Sequence, residues 1–253
     1  MYAPERHQQI LDTALSRGRV EVAGLARDLS VTPETVRRDL TALERRGVLR
    51  RVHGGAIAVE RLGVEPPVVD REGTAAAEKD RIARAALDEL PDGGSIIVDG
   101  GTSAIRLAEL LPTDRELTVV THSLAVATIL ISRPSLTLHL LGGLIRPRTY
   151  SAVGDWTRTQ LSEVFADVAF LGTNGVSVDR GLSTPDLAEA RVKKAIMAAA
   201  RRSVVLADHT KFGREDFALV APLSEVDTIV TDDGVDVELA SDVEQAGPRV
   251  VVA

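Results

Sequence analysis

Apolar residues recur at helical spacing three times within the first forty-five positions, and beyond that the pattern changes to short β-branched runs. Ile10, Leu11, Ala14 and Leu15 mark one face of a helix near 4–17, ended by Gly18. Val22, Leu25, Ala26 and Leu29 mark a second helix near 21–29. After only Ser30-Val31-Thr32, Val36, Leu40 and Leu43 mark a third. Thr32 suits an N-cap, Pro33 the first helical position, and Glu34 the positive end of the helix dipole. With Val36, Leu40 and Leu43 turned inward, the helical period turns Glu34, Arg38, Thr41 and Arg45 outward, with Thr35 and Arg37 on the flanks. The helix ends at Gly47. Positions 48–57 then read as two short strands around a basic turn that carries Arg50, Arg51 and His53. Three helices, a three-residue turn and a basic strand pair predict a winged helix-turn-helix.

Residues 58–77 hold Gly63, Pro66, Pro67 and Gly73 with no period of either kind, and read as a linker. A helix is expected from about 78 to 90. Thereafter strand-type runs at 95–99, 117–121, 136–141, 167–171, 203–207, 227–231 and 249–252 alternate with helical stretches at 102–111, 123–131 and 185–200. Runs such as SIIVD and TVVT are almost unbroken, as in strands covered on both faces. The alternation predicts an α/β domain with a mostly parallel sheet. The expected domains are 1–57, the linker 58–77, and 78–253.

Composition narrows this picture. In 253 residues, 44% are apolar and only 3% aromatic, so the core rests on Val, Leu, Ile and Ala. The absence of Cys excludes disulfides and thiolate metal sites, though not His/carboxylate ones; no metal or cofactor is expected. There is no apolar run of 18 residues and no basic-then-apolar leader, so the expected location is the cytoplasm. A net charge of −7 argues against a nucleic-acid partner until it is divided. Residues 1–61 carry 11 Arg against 8 acidic residues, whereas the remainder carries 19 basic against 29 acidic. Six of those Arg fall between Arg37 and Arg51, a local footprint for a phosphate backbone. An outward face of Thr and Arg suits a helix laid in a major groove. A solvated basic helix, or a winged helix that meets a protein, is the plainer alternative.

In the second domain the polar residues gather where parallel sheets bind ligands, at the carboxyl ends of strands. Asp99-Gly100-Gly101-Thr102-Ser103 runs directly into a helix, whose N-terminal amides favour an anion. It lacks the spacing of a dinucleotide loop or a P-loop, and glycine turns between strand and helix are common. Thr121-His122-Ser123, Gly142-Gly143, Thr173-Asn174 and a segment containing Lys211 occupy the corresponding places after later strands. Hydroxyls, amides and one lysine, with no aromatic platform, suit a small phosphorylated polyol.

The segments Thr32-Pro33-Glu34-Thr35-Val36-Arg37-Arg38-Asp39-Leu40 and Gly47 to Ala56 resemble the DeoR-type family of bacterial sugar-metabolism regulators. DGGTS, VVTHS, LLGGLIRPRTYSAVG, ADVAFLGTNGV, GLSTPDLAEARVKKAI and VVLADHTKFG extend that resemblance over nearly the whole chain. It implies that Thr35, Arg37 and Arg38 read DNA, and that the second domain is an effector sensor with the fold of ribose-5-phosphate isomerase. It also implies a phosphate on the Gly100–Ser103 loop with Lys211 nearby. The family usually has Asn at the place of His122, and Ala-Asp or Ala-Asn at Thr173-Asn174. His122 accordingly reads as a neutral hydrogen-bonding replacement.

The expected function is a repressor of sugar-metabolism genes, a homo-oligomer (dimer or tetramer) on operator DNA, controlled by a sugar phosphate. The alternative is a sugar-phosphate isomerase with a DNA-binding appendage. Such an enzyme needs a carboxylate base within reach of a substrate carbon. Glu189, Asp186, Asp99 and Asp208 are the candidates, with Glu189 more simply a surface partner of Lys193. The expected reading is no enzyme.

Overall fold

The computed structural model describes residues 6–7, 9–10, 13–14, 19–45, 49–52, 54–58 and 67–253. The chain divides into two compact units, Met1–Val64 and Glu65–Ala253.

In the first unit the described residues between 6 and 14 are helical, and helices Val22–Asp28 and Pro33–Arg45 follow. Ile10, Ala14, Val22, Leu25, Val36, Leu40 and Leu43 are buried together, so the three apolar stripes meet in one core. The N-cap expected at Thr32 is formed: the Thr35 N–H donates to Thr32 Oγ1 at 3.2 Å. Strands β1 (Arg19–Glu21), β2 (Leu49–Val52) and β3 (Gly55–Ala58) make an antiparallel sheet in the order β1-β3-β2. The β2–β3 pair is the expected wing. β1 was not legible in the sequence, because three residues between two helices carry no period. Gly55 makes the pairing possible, since a Cβ there would lie 1.9 Å from the Val20 carbonyl oxygen.

The second unit is built on seven parallel strands. They are β4 (Gly94–Val98), β5 (Leu117–Thr121), β6 (Leu136–Leu140), β9 (Ala166–Gly172), β12 (Ala200–Leu206), β14 (Thr228–Thr231) and β15 (Arg249–Val252). Their order is β15-β14-β12-β9-β4-β5-β6. All seven correspond to strand-type runs in the sequence. Ile96 and Val98 pack on one face against the helices Ala76–Ala86 and Thr102–Leu110; Ile97 packs on the other with Val192 and Ile196 of the Leu187–Ala198 helix. Burial on both faces is why the run of β4 shows no alternation, whereas the edge strand β6, LTLHL, is not buried and alternates.

The chain runs outward from β4 to β5 and β6, then returns to the opposite side of β4 as β9. Diverging connections leave a crevice at the carboxyl ends of β4 and β9. Two smaller pairings lie outside the main sheet. They are the hairpin β7 (Leu144–Arg146) with β8 (Ser151–Val153), and an antiparallel sheet of β10 (Gly175–Ser177), β11 (Gly181–Thr184) and β13 (Ala218–Ala221). Within the stretch read as linker, Val68–Arg71 forms one helical turn. Its Val68 is buried, and the Val68 N–H donates to the Arg148 carbonyl at 2.7 Å. The helix expected from 78 begins at Ala76 and passes through a 3₁₀ turn, Leu87–Glu89.

Candidate functional site

Two polar regions stand out, one in each unit. On the Pro33–Arg45 helix, Thr32, Pro33, Glu34, Arg37, Arg38 and Arg45 are exposed, and Thr35 and Thr41 are half-buried. Arg37 and Arg38 reach Glu34 only loosely, at 3.4 and 3.9 Å. Arg51, from the wing, donates from its guanidinium to the Arg37 carbonyl and to Thr41 Oγ1, both at 3.3 Å, and its N–H donates to Glu44 at 2.9 Å. The wing is thereby tied to the helix beside its outward arginines. Arg50 lies in β2, and His53 falls outside the described residues.

One residue of this helix breaks the expected division. Asp39 is buried, and accepts from Arg6 Nε at 2.5 Å, Arg6 Nη2 at 3.0 Å and His7 Nε2 at 2.9 Å. Burial pushes its carboxyl up, but the bonds from Arg6 and His7 outweigh that and hold it below the usual carboxylate range. Asp39 therefore fixes the first helical segment to the third. Its place beside Val36 and Leu40 was visible in the sequence; its partners were not.

The second region is a pocket at the β4/β9 crevice. Asp99, Gly100, Gly101, Thr102, Ser103, His122, Thr173, Asn174 and Lys211 line it, so most residues singled out from the sequence converge there. Gly101 has φ +101°, a conformation that favours glycine, with nothing within 4 Å of where a Cβ would lie. It is the N-cap of the Thr102–Leu110 helix and supplies no side chain, so the first amides of that helix open into the pocket.

Four expected residues are used otherwise. Thr121 Oγ1 donates to the Val98 carbonyl at 2.7 Å and accepts from the Ser123 N–H at 3.1 Å. Ser123 caps the Leu124–Leu130 helix through the Val126 N–H. Gly142 exchanges hydrogen bonds with Gln160, and its carbonyl accepts from Thr157. A Cβ on Gly143 would meet Thr157 Oγ1 at 2.2 Å. None of the four is among the residues that line the pocket.

The pocket floor is a buried ionic network. Asp99 accepts from His122 Nε2 at 2.8 Å, from the Gly172 N–H at 2.9 Å and from Lys193 Nζ. Burial works against its charge, but Lys193 and His122 outweigh that and hold the carboxyl far below the usual range. His122 Nδ1 lies 2.7 Å from the Ala152 carbonyl. The ring is thus held at both nitrogens, between the Asp99 carboxylate and the Ala152 carbonyl.

Glu189 and Lys193 correct a second expectation, because they are neither on the surface nor paired with each other. Both are buried and line the pocket. Glu189 meets Arg146 Nη1 at 2.5 Å, while Lys193 bonds Asp99 and the Gly172 carbonyl. The helix turns one face of Leu187–Ala198 inward over the ends of β4 and β9, which spacing alone did not reveal.

Arg71, Thr74, Lys79, Thr149 and Ser151 also line the pocket and were not singled out from the sequence. Lys79 is almost enclosed, with its ammonium on the Thr74 carbonyl, 3.3 Å from the Arg71 carbonyl and 3.8 Å from Asp208. Burial lowers its pKa to about 8, against the opposing pull of Asp208. Its only signal in the sequence was its place on the helix expected from about 78 to 90. Thr173 Oγ1 is directed at the backbone instead, toward the Gly175 and Ser183 carbonyls. Among the described residues, no group of three or more His, Asp or Glu could hold a metal ion. No described helix is long and apolar enough to cross a membrane.

Comparison with known proteins agrees with this division. A family model for the DeoR-like helix-turn-helix domain matches residues 6–61, and one for the DeoR C terminal sensor domain matches 74–233. The glycerol-3-phosphate regulon repressor of Escherichia coli (strain K12) is 34% identical over 232 residues, 92% of each chain. The HTH-type transcriptional regulator GlpR of Haloferax volcanii is 34% identical over 251 residues, 99% of this chain and 98% of that one. Among solved structures, a ribose 5-phosphate isomerase A from Methanocaldococcus jannaschii covers 55% of each chain at 18% identity, with a TM-score of 0.40.

Proposed function

The chain belongs to the DeoR family of helix-turn-helix regulators, and from that premise we propose that it represses sugar-metabolism genes and is released from operator DNA by a phosphorylated polyol. The observation that carries the sensor half is the Gly100–Ser103 loop, which brings a helix N-terminus into a pocket that also holds Lys79 and Lys211. Amides and ammonium groups together suit a dianionic phosphate. Relatives named for glycerol 3-phosphate support the effector class.

On the DNA side, Arg37, Arg38 and Arg45 extend from a helix whose opposite face is fully committed to the core. Such a helix reads base edges and phosphates in a major groove, as one subunit of a homo-oligomer that places a second copy on the other half-site. The effector changes occupancy only if it binds the DNA-free arrangement with a different affinity. The carboxylates of the pocket are already engaged, Asp99 by Lys193 and the His122 ring, Glu189 by Arg146. That leaves none disposed as a base toward a substrate carbon, so the chain is read as a sensor and not as an enzyme.

A thermal-shift panel of inorganic phosphate, glycerol 3-phosphate, ribose 5-phosphate and fructose 1-phosphate tests the reading. At least one organic phosphate should raise the melting temperature by mass action and displace operator DNA. If none stabilises the protein, the sensor reading fails. DNA affinity should fall steeply as salt rises; a flat salt response would point to a protein partner.

A further inference from the structure

Thr149 is 4% exposed, lines the pocket, and its Oγ1 has no hydrogen-bond partner among the described residues. Buried hydroxyls are seldom left unpaired, and the exceptions mark strain or a missing partner. Here the backbone is well tied on either side: the Thr149 N–H donates to the Arg146 carbonyl at 3.3 Å, and the Thr149 carbonyl accepts from Ser151 Oγ at 3.2 Å. The next residue, Tyr150, has φ +53°, so the turn that presents Thr149 is held in a conformation that L side chains rarely adopt. The backbone around the hydroxyl is thus satisfied while the hydroxyl itself is not.

The pocket lining combines cations with carboxylates that are already engaged. The helix N-terminus at Thr102, with Lys79 and Lys211, supplies positive potential for a phosphate. The two carboxylates that line the pocket already have partners in the protein, Glu189 in Arg146 and Asp99 in Lys193. Thr149 belongs to the same hairpin as Arg146. A neutral group that both donates and accepts complements a hydroxyl of the ligand, which does the same, better than a phosphate, which only accepts.

We propose that Thr149 Oγ1 hydrogen-bonds a hydroxyl of the bound polyol phosphate and makes the pocket prefer hydroxylated organic phosphates over inorganic phosphate. This rests on the sensor reading and adds the residue that recognises the carbon chain. It also accounts for the orphaned hydroxyl: the ligand supplies the partner that the protein withholds.

Thr149→Val keeps the shape and removes the hydroxyl, and Thr149→Ser keeps the hydroxyl. Calorimetric titration of both variants and the parent, with inorganic phosphate and the best organic phosphate of the panel, tests the assignment. Thr149→Val should weaken the organic phosphate about tenfold, the loss of one buried hydrogen bond, and leave inorganic phosphate unchanged within about twofold. Its ligand-free melting temperature should stay level or rise, because an unpaired buried hydroxyl has been removed. Thr149→Ser should retain the preference. Equal weakening of both ligands would place Thr149 on the phosphate, and no weakening of either would mean that water satisfies it; both overturn the proposal while sparing the sensor reading. If no phosphate binds the parent, both fall together.

Discussion

Arg38 on the Pro33–Arg45 helix leaves 82% of its side chain in solvent, whereas Asp99, His122 and Lys193 at the pocket floor are nearly enclosed. The exposed arginines are held by a few loose contacts of 3.4 to 3.9 Å with Glu34. Pairs of that kind contribute only tenths of a kcal/mol, so the arginines are free to turn toward an external polyanion. The pocket charges hold one another, and removing one leaves another buried without compensation. A surface that must meet a long, regular ligand keeps its charges solvated; a cavity that must recognise a small one fixes them in place. Asp39 shows the pocket's manner at small scale within the DNA-reading unit, since its partners Arg6 and His7 serve the fold.

The largest expected effect is on the pocket side. Lys193→Met leaves the buried Asp99 with only the His122 ring and the Gly172 N–H as partners, and should cost about 3–5 kcal/mol in urea unfolding. A loss under about 1 kcal/mol would show that the network is not structural. The same carboxylate sets the acid limit. Its folded-state pKa is depressed, so its contribution is fully present above about pH 4 and is lost as pH falls below that. Asp99→Asn should flatten that acid slope.

Next comes the DNA face. Arg38→Ala should weaken operator binding about 10- to 100-fold, measured by fluorescence anisotropy, with the melting temperature unchanged. Unchanged operator affinity would remove Arg38 from the reading face, and a large loss of stability would erase the contrast with the pocket.

A smaller effect is expected at Lys79, where the comparison meets solution pH. Below about pH 8 the lysine is charged both folded and unfolded, and folding carries the full cost of burying the ammonium. Between about 8 and 10.5 the folded lysine gives up its proton first, the unfolded state binds more protons, and stability rises. Inorganic phosphate should bind severalfold more weakly over the same rise, and Lys79→Met should abolish both trends. The smallest effect is at Glu34. Glu34→Gln should change unfolding stability by less than about 0.5 kcal/mol, as fits an exposed pair; a larger change would mean that the helix charges are structural after all.

Much of the scaffold was legible, for local reasons. Strands such as β4, β5 and β15 are largely β-branched runs, and Thr32-Pro33 caps a helix through contacts within one turn of chain. β1 and the hairpin of β7 and β8 escaped notice, because three-residue strands exist only through partners distant in sequence. The glycine loops could be seen as ligand loops. Lys79, Thr149, Glu189 and Lys193 could not, since each is an ordinary residue until the packing of its element turns it inward.

The sequence by itself determined the winged helix-turn-helix, the alternation that makes a parallel sheet, and the glycine loop that ends β4, because each depends on spacing within a few turns of chain. Tertiary structure alone decided that β9 returns beside β4 and opens the crevice, that Lys193 and His122 share one carboxylate, and that Thr149 faces the pocket without a partner. Those outcomes depend on which side chains meet across scores of residues and on how burial alters their charges, and neither quantity exists until the chain has closed on itself.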